Sequence, residues 1–214
     1  VAGMCWFDAY SDADAVCFRT GRGVVSWPMM RQERPASLVD GRKLCLSLSD
    51  FVPPKDYGFT SPMGIFAVSV DKTQGGQPGN DGRNMSHDDL LGHAVMNTLA
   101  EAASSWLENK VKNGVVPGDD WRIIKPAPGY ASCPDHTLKR DILSLLPGAE
   151  KLGISLTDSC GMLPEASICG LVFIHKYAVY PEIRRVSHSQ VADYAARRGM
   201  THGEARRFLG YLVE

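Results

Sequence analysis

Apolar and β-branched residues in the first third of the chain come in short runs separated by glycine and proline. This pattern is typical of strands joined by turns, and it predicts strands at residues 15–18, 24–27, 44–48 and 63–70. Residues 72–82 then concentrate glycine and polar side chains without a periodic apolar face, which predicts a surface loop. We therefore expect a mostly antiparallel sheet followed by a loop.

The clearest predicted element is a long helix after this loop. Ser86 is a candidate N-cap, and Asn113 with Gly114 marks the end of the helix. Apolar side chains recur at spacings of one, three and four, which predicts one side that faces the core. The predicted core face consists of Leu91, Val95, Leu99, Ala102, Trp106 and Leu107.

The remainder of the chain mixes short helices and strands. A helix is predicted for residues 137–146, and strands are predicted for 167–174 and 177–179. Two helices close the chain, one over residues 189–198 with Gly199 after it and one that opens with the capping box Thr201-His-Gly-Glu204. Because strands and helices do not alternate regularly, we expect an α+β fold in one domain over residues 1–214.

Composition and charge narrow the classes of partner. The chain has 23 lysines and arginines against 24 acidic residues, so no net field draws it to nucleic acid or to an anionic membrane. Its apolar runs have the length of strands and are too short to span a bilayer, and no secretory signal is recognised at its start. Six cysteines without a Cys-x-x-Cys pair indicate reduced, mostly buried thiols and a cytoplasmic protein.

The most distinctive segment for chemistry is the loop Lys125-Pro-Ala-Pro-Gly-Tyr130. Pro126 and Pro128 favour an extended backbone whose polar groups lack a sheet partner and are open to a ligand. Gly129 permits close approach, while Lys125 and Tyr130 bring a cation and a ring to the same place. A connection that the prolines merely stiffen is an equally good interpretation of these residues alone.

Five other positions each have a plain structural alternative. Asp50 follows an apolar run and precedes a proline turn, where a carboxylate more commonly caps backbone amides than binds a ligand. Glu101 on the long helix is by default solvated, and Tyr180 is by default an aromatic at the edge of the core. Cys133 and His136 form a lone Cys-x-x-His, which is more typical of a buried thiol and a helix-start imidazole than of a metal site. We predict no metal site.

Five ordered blocks of the sequence resemble one family, the C-terminal reactivation domains of cobalamin-dependent methionine synthases. The blocks are Leu48-Ser-Asp-Phe-Val-Pro-Pro-Lys55, Leu99-Ala-Glu-Ala102, Lys125-Pro-Ala-Pro-Gly-Tyr-Ala-Ser-Cys-Pro-Asp-His-Thr137, Leu156-Thr-Asp-Ser159 with Ala166-Ser167 to Gly170, and Gln190-Val-Ala-Asp-Tyr-Ala-Ala-Arg-Arg-Gly-Met200. The resemblance covers nearly the whole chain, and its Pro-Gly-Tyr block is the most specific part.

The resemblance implies a C-shaped α+β domain around a bent, mostly antiparallel sheet. It also implies that the chain binds S-adenosylmethionine and supplies the methyl group for reductive methylation of cob(II)alamin, as a methyltransferase component. The cobalamin would be held by a partner domain or corrinoid protein, and a flavodoxin-like donor would supply the electron. Neither nucleic acid nor a membrane is expected as a partner.

The same resemblance assigns roles to individual residues. Asp50 is expected to meet the methionyl ammonium, and Lys125 stands where the family has an arginine that pairs with the methionyl carboxylate. Ala127 is expected to offer backbone groups to the adenine. The remaining residues expected near the ligand are Glu101, Gly129, Tyr130 and Tyr180, with Asp119 as a further acid.

The sequence also departs from the family. The helical extension that usually precedes the family's first strand is missing, and the segments 72–86 and 112–120 look shorter than the family's. Lys125 replaces the family's arginine and lacks its planar, two-pronged geometry. These departures leave two alternatives open. One is a degenerate, non-catalytic docking module for a corrinoid protein or its reductase, and the other is an enzyme that acts on a different amino-acid-like ligand.

Overall fold

The computed structural model describes residues 1–37, 41–70, 87–114, 116, 118 and 120–213. The chain divides into two compact units. Unit 1 consists of Val1–Cys5, Ile65–Val115 and Lys139–Gly170, and unit 2 consists of Trp6–Gly64, Val116–Leu138 and Leu171–Glu214. The expectation of one domain over the whole chain stays a prediction.

The described residues mix strands and helices, which confirms the α+β class. The strands are β1 (Ala2–Asp12), β2 (Ala15–Thr20), β3 (Gly23–Pro28), β4 (Ala36–Ser37), β5 (Lys43–Leu44), β6 (Ser61–Ser69), β7 (Arg122–Ile124), β8 (Ser155–Leu156), β9 (Met162–Leu163) and β10 (Ser167–His175). The α-helices are α1 (His87–Gly114), α2 (Leu138–Leu145), α3 (His188–Arg198) and α4 (His202–Leu209). Short 3-10 helices lie at Leu48–Phe51, Lys55–Tyr57, Ala149–Leu152 and Gly210–Leu212.

Six strands form one sheet in the order β3-β2-β1-β6-β10-β7, and β4-β5 and β8-β9 form two small ribbons. The pairs β1–β2 and β2–β3 are antiparallel, as the short turns between these three strands require. The pair β7–β10 is antiparallel as well. Strands β1, β6 and β10 contribute residues to both units.

Most predicted strands are confirmed, and the differences have local causes. The run at residues 44–48 forms only the short β5 and then turns into the 3-10 helix Leu48–Phe51, because Ser47 and Asp50 cap that turn. The strand predicted at 177–179 is wrong, since the chain turns after β10, where the Ala178 amide donates to the His175 carbonyl, and then continues without regular structure. The loop predicted at 72–82 and the proposed cap Ser86 lie outside the described residues.

The core of unit 2 is built on the β1–β2–β3 meander. Phe18 and Trp27 are buried and contact edge to face at 4.8 Å between ring centroids, and Phe7 lies 4.7 Å from Phe18. Burying large aromatic rings is a major source of stability, so this cluster fixes the register of the three strands. The capping box predicted at Thr201 is confirmed at the start of α4, and Gly199 follows α3 as predicted. Helix α3 begins at His188, one residue earlier than predicted, because Ser187 caps it.

In unit 1, most of the predicted core face of α1 is wrong. Leu107 is buried as predicted, but Leu91, Val95, Leu99 and Trp106 are between 49% and 58% exposed, and Ala102 is exposed as well. Among the described residues, the helix buries Ala100, Ser104, Leu107 and Val111, at spacings of four, three and four. The small side chains of Ala100 and Ser104 permit close packing on this buried side of the helix. Because α1 carries apolar side chains on most of its circumference, periodicity alone does not determine which side faces the core.

The six cysteines all lie in the described part of the chain, and none forms a disulfide. Four are buried and two are partly buried, as expected for structural thiols. Burial raises the pKa of Cys5 to about 11 and that of Cys169 to about 12, so neither thiol is a reactive anion at neutral pH. No helix in the described residues is long and apolar enough to cross a membrane.

Candidate functional site

The proline-rich loop after β7 is a tight turn held by its own backbone. The Tyr130 amide donates to the Ala127 carbonyl at 3.2 Å, which places Pro128 and Gly129 at the two central positions of a β-turn. Gly129 has a φ of 98°, as the third position of a type II turn requires. The Pro-Gly pair therefore sets this geometry from the sequence itself.

A second turn, over residues 130–133, stabilises the first through hydrogen bonds. The Cys133 amide donates to the Tyr130 carbonyl at 2.9 Å, and the Gly129 amide donates to the Cys133 carbonyl at 2.7 Å. The two turns share Tyr130, which is 72% exposed. An aromatic side chain on a fixed backbone, open to solvent, is suited to stacking on a flat ligand.

Three hydrogen bonds fix the loop to the rest of unit 2. The Lys125 amide donates to the Tyr180 hydroxyl at 2.9 Å. The Pro126 carbonyl accepts from the Leu171 amide at 3.0 Å, and the Ala131 carbonyl accepts from the Ile183 amide at 2.8 Å. The loop is therefore pre-formed, which lowers the entropy cost of binding a ligand there.

Burial alternates along the loop as it does along a strand. Pro126 and Pro128 are buried, while Lys125, Ala127 and Gly129 are partly exposed. Successive residues on an extended backbone face opposite sides, which accounts for the alternation in the part of the loop that precedes the turn at Pro128 and Gly129. Among the described residues, no hydrogen bond is formed by the Ala127 amide, so this partly exposed donor is available to a ligand.

His136 packs against Gly129. A Cβ atom at Gly129 would lie 2.4 Å from the imidazole Cε1, so no side chain fits beside the ring. The residue at 129 therefore needs to be glycine for two reasons, its backbone angle and the neighbouring imidazole.

A buried carboxylate supports the end of the loop. Asp135 is 2% exposed and accepts hydrogen bonds from the Thr137 amide and hydroxyl, the Tyr194 hydroxyl and the Arg198 Nε. Burial first, and then the charge of Asp135, raises the pKa of Tyr194 well above its usual value, which keeps it protonated as a donor. The network ties α3 to residues 135–137, directly after the loop.

Asp50 performs the capping role and also forms an ion pair. Its Oδ2 accepts from the Ser47 amide at 2.9 Å, which completes a capping box with Ser47. Arg31 donates to both carboxylate oxygens, from Nη1 at 2.8 Å and from Nη2 at 2.7 Å. The hydrogen bond to Asp50 is the main cause that raises the pKa of Arg31, with Asp14 acting in the same direction and burial opposing both.

Phe173 in β10 connects the segment of Asp50 to the loop. Its ring contacts Phe51 at 6.4 Å between centroids, and its Cα pairs with Ile124 of β7. Asp50 directly precedes Phe51 in the chain, and Lys125 directly follows Ile124. The Tyr180 hydroxyl accepts from the Lys125 amide, so the structure brings these two predicted residues together.

Six of the seven predicted ligand residues lie in unit 2: Asp50, Lys125, Ala127, Gly129, Tyr130 and Tyr180. Glu101 lies on α1 in unit 1, where it is exposed. Asp119 lies outside the described residues. Across the described residues, no group of three or more histidine, cysteine, aspartate or glutamate side chains could hold a metal ion.

Sequence reasoning missed four residues of this region. Arg31 pairs with both Asp14 and Asp50, but the three residues are distant in sequence, and Asp14 and Arg31 carry no local motif. The sequence predicts His136 only as a helix-start imidazole or a metal ligand. His175 ends β10 between the rings of Phe51 and Tyr177, and burial lowers its pKa. The close spacing of His136 to the Pro-Gly turn was the one signal in the sequence that could have indicated a contact.

Two comparisons bear on this site. The family model described as "Vitamin B12 dependent methionine synthase, activation domain" matches residues 2–199. Among solved structures, the chain is similar to the MetH reactivation domain bound to AdoHcy, with a TM-score of 0.77 and 27% sequence identity over 98% of this chain and 69% of that one. The proline-rich loop and the Asp50 segment both lie within the matched range.

Proposed function

The chain belongs to the activation domains of vitamin B12-dependent methionine synthases, and from this premise we propose that it binds S-adenosylmethionine and supplies its methyl group for reactivation of cob(II)alamin. The cobalamin would be held by a partner domain, and a flavodoxin-like protein is the expected electron donor. The observation that carries the proposal is the pre-formed loop Lys125-Pro-Ala-Pro-Gly-Tyr130, which its own turns and three further hydrogen bonds hold in place. The similar solved domain was crystallised with AdoHcy, the product of such a transfer.

The chemistry of the exposed groups fits the parts of this ligand. The available Ala127 amide can donate to a ring nitrogen of adenine, and the exposed ring of Tyr130 can stack beside it. Lys125 supplies a cation for the methionyl carboxylate, and Asp50 supplies an anion for the methionyl ammonium. Gly129 leaves room for the ligand to approach the backbone, and Tyr180 positions Lys125 through its amide.

The proposed reaction needs orientation rather than a general base. The methyl carbon leaves the sulfonium with no proton transfer, and the electron pair of the broken carbon–sulfur bond stays on sulfur, giving S-adenosylhomocysteine with a neutral thioether. Cobalamin would supply the cobalt that accepts the methyl group, after addition of one electron from the donor. The residues of this chain bind and orient the sulfonium, which is catalysis by proximity. We propose the methyltransferase role only for the chain together with its cobalamin-binding partner.

Glu101 is proposed as a ligand residue on the family resemblance alone. It is exposed on α1, where a carboxylate is ordinarily solvated. A Glu101→Gln variant should bind S-adenosylhomocysteine more weakly in calorimetry, and an unchanged affinity would remove Glu101 from the proposed site.

Calorimetry with S-adenosylhomocysteine and S-adenosylmethionine tests the proposal. Asp50→Asn keeps an oxygen that can accept from the Ser47 amide but removes the charge, so it should weaken binding roughly tenfold or more without unfolding the turn. Asp56→Asn, an exposed aspartate in the neighbouring 3-10 helix, is the matched control. Absence of binding to the unaltered protein, or equal affinities for the two variants, would contradict the proposal.

A non-catalytic docking module for a corrinoid protein or its reductase is the second candidate. It is favoured by one observation, namely that Arg31 already occupies both oxygens of Asp50. In that case a cobalamin-binding domain should be retained by the chain in a binding assay, while S-adenosylhomocysteine produces no heat of binding.

A further inference from the structure

One face of the sheet in unit 2 carries a partly exposed tryptophan that the proposed function does not use. Trp6 in β1 lies over Gly64 in β6, where an added Cβ atom would be 3.1 Å from Cζ3 and 3.3 Å from Cε3 of the indole. The same atom would be 3.1 Å from the Cβ of Val172 in β10, so the three residues share one face. The glycine provides the space that the indole occupies.

Lys125 of the proline-rich loop belongs to the same face. The antiparallel register between β7 and β10 continues into the loop, because the Leu171 amide donates to the Pro126 carbonyl at 3.0 Å. This register places Lys125 opposite Val172, and directly opposed side chains lie on the same face of a sheet. One row across β1, β6, β10 and β7 therefore consists of Trp6, Gly64, Val172 and Lys125.

The two faces of β1 differ in their environment. Phe7 packs against Phe18 in the core on one face, whereas Trp6 is only partly buried on the other. Asp8 faces the same side as Trp6, is exposed, and forms no ion pair within the described ranges of the chain. An accessible indole with a carboxylate nearby is an environment that favours a cation.

We propose that Trp6 is a specificity-determining residue that holds the sulfonium of S-adenosylmethionine against its indole face, and so favours this ligand over S-adenosylhomocysteine. The inference rests on the proposed function, in which Lys125 binds the methionyl carboxylate. Neighbouring strands lie about 4.8 Å apart, so the indole over β6 is about 10 Å from the Cα of Lys125. The lysine side chain and the methionyl chain together can span this distance. A sulfonium on an aromatic face gains a cation–π attraction that a neutral thioether lacks.

Calorimetry with the two ligands separates this role from a structural one. In Trp6→Leu an apolar side chain still covers Gly64, but the aromatic face is gone. Affinity for S-adenosylmethionine should fall roughly five- to tenfold, while affinity for S-adenosylhomocysteine should change by less than about twofold. Trp6→Phe retains a ring and should bind S-adenosylmethionine within about threefold of the unaltered protein.

A control variant and a second readout accompany the calorimetry. Tyr57→Leu removes an aromatic residue of unit 2 that is 67% exposed in a separate 3-10 helix, so it should leave both affinities unchanged. S-adenosylmethionine should also change the tryptophan fluorescence of the unaltered protein. Most of this change should disappear in Trp6→Phe, although this variant still binds the ligand.

Each outcome has a defined meaning. Equal weakening for both ligands in Trp6→Leu, an unchanged affinity for S-adenosylmethionine, or a fluorescence change that survives undiminished in Trp6→Phe overturns the inference while the proposed function stands. If the unaltered protein binds neither ligand, the proposed function fails and the inference fails with it. Thermal unfolding shows whether each variant is folded, and if Trp6→Leu is not, the fluorescence of Trp6→Phe decides.

Discussion

The turn at Gly129 provides the sharpest test of how the candidate site is built. In Gly129→Ala, a side chain must adopt a φ of 98° and its Cβ must fit 2.4 Å from the imidazole of His136. The backbone angle costs roughly 1–2 kcal/mol, offset by about 0.4–1 kcal/mol from the less flexible unfolded chain. Displacing the imidazole adds an overpacking cost of about 1–3 kcal/mol.

The expected total is a loss of about 2–4 kcal/mol in the free energy of unfolding, measured by urea denaturation. Gly23→Ala is the matched control, since Gly23 has a φ of 122° in unit 2 but a Cβ atom there would meet nothing within 4 Å apart from its own chain neighbours. It should lose only about 0.5–1 kcal/mol, the backbone share of the cost. The difference between the two variants isolates the contact with His136.

A double-mutant cycle with His136→Ala tests the mechanism further. If the imidazole causes the extra loss, Gly129→Ala should cost no more than the control once His136 is truncated. Equal costs for Gly129→Ala and Gly23→Ala in the unaltered background would refute the contact. An extra cost that persists without the imidazole would refute its assignment to His136.

Three further predictions concern the loop and its surroundings. Lys125→Arg should bind S-adenosylhomocysteine several-fold more tightly by calorimetry, because a guanidinium offers a carboxylate two parallel donors; equal or weaker binding would contradict the role of this position. Tyr180→Phe should lower the free energy of unfolding by about 0.5–1.5 kcal/mol through loss of the bond from the Lys125 amide, whereas Tyr177→Phe should not. Burial lowers the pKa of His175 below its usual 6.5, so the unfolded chain binds a proton more readily and stability falls as the pH drops through 6.5. His175→Gln should reduce this pH dependence in urea denaturation, and a slope as steep as that of the exposed-residue control His202→Gln would contradict it.

Local chemistry explains which parts of the fold the sequence could predict. Caps, Pro-Gly turns and alternating strands depend on residues close together in the chain, so the turn at Pro128 and Gly129 and the helix start at Thr201 follow from sequence. The buried side of α1 could not be predicted from the sequence. The helix carries apolar side chains on most of its circumference, and tertiary packing determines which of them are buried. The strand predicted at 44–48 ends early, because Ser47 and Asp50 cap the 3-10 helix Leu48–Phe51 and this capping competes with sheet formation.

The candidate site shows the same division. The loop Lys125-Pro-Ala-Pro-Gly-Tyr130 stands out through its own prolines, glycine and aromatic ring, and the family resemblance adds the ligand role expected for the loop and for Asp50. Arg31 and Asp14 do not follow from the sequence, since the ion pairs of Arg31 with Asp50 and with Asp14 join segments far apart in the chain. For Asp50, the structural role and the ligand role are compatible, because one carboxylate can cap a turn and face a charged partner at once.

Transfer of a labelled methyl group tests the central claim most directly. The chain would be mixed with a cobalamin-binding synthase domain in the cob(II)alamin state, a flavodoxin-type reducing system and S-adenosylmethionine labelled in its methyl group. We predict label on the cobalamin, dependent on the chain and on the reductant, and diminished by Asp50→Asn. Label transfer that is the same with and without the chain, under conditions in which the synthase's own activation domain is active, would contradict the proposed methyl-donor role.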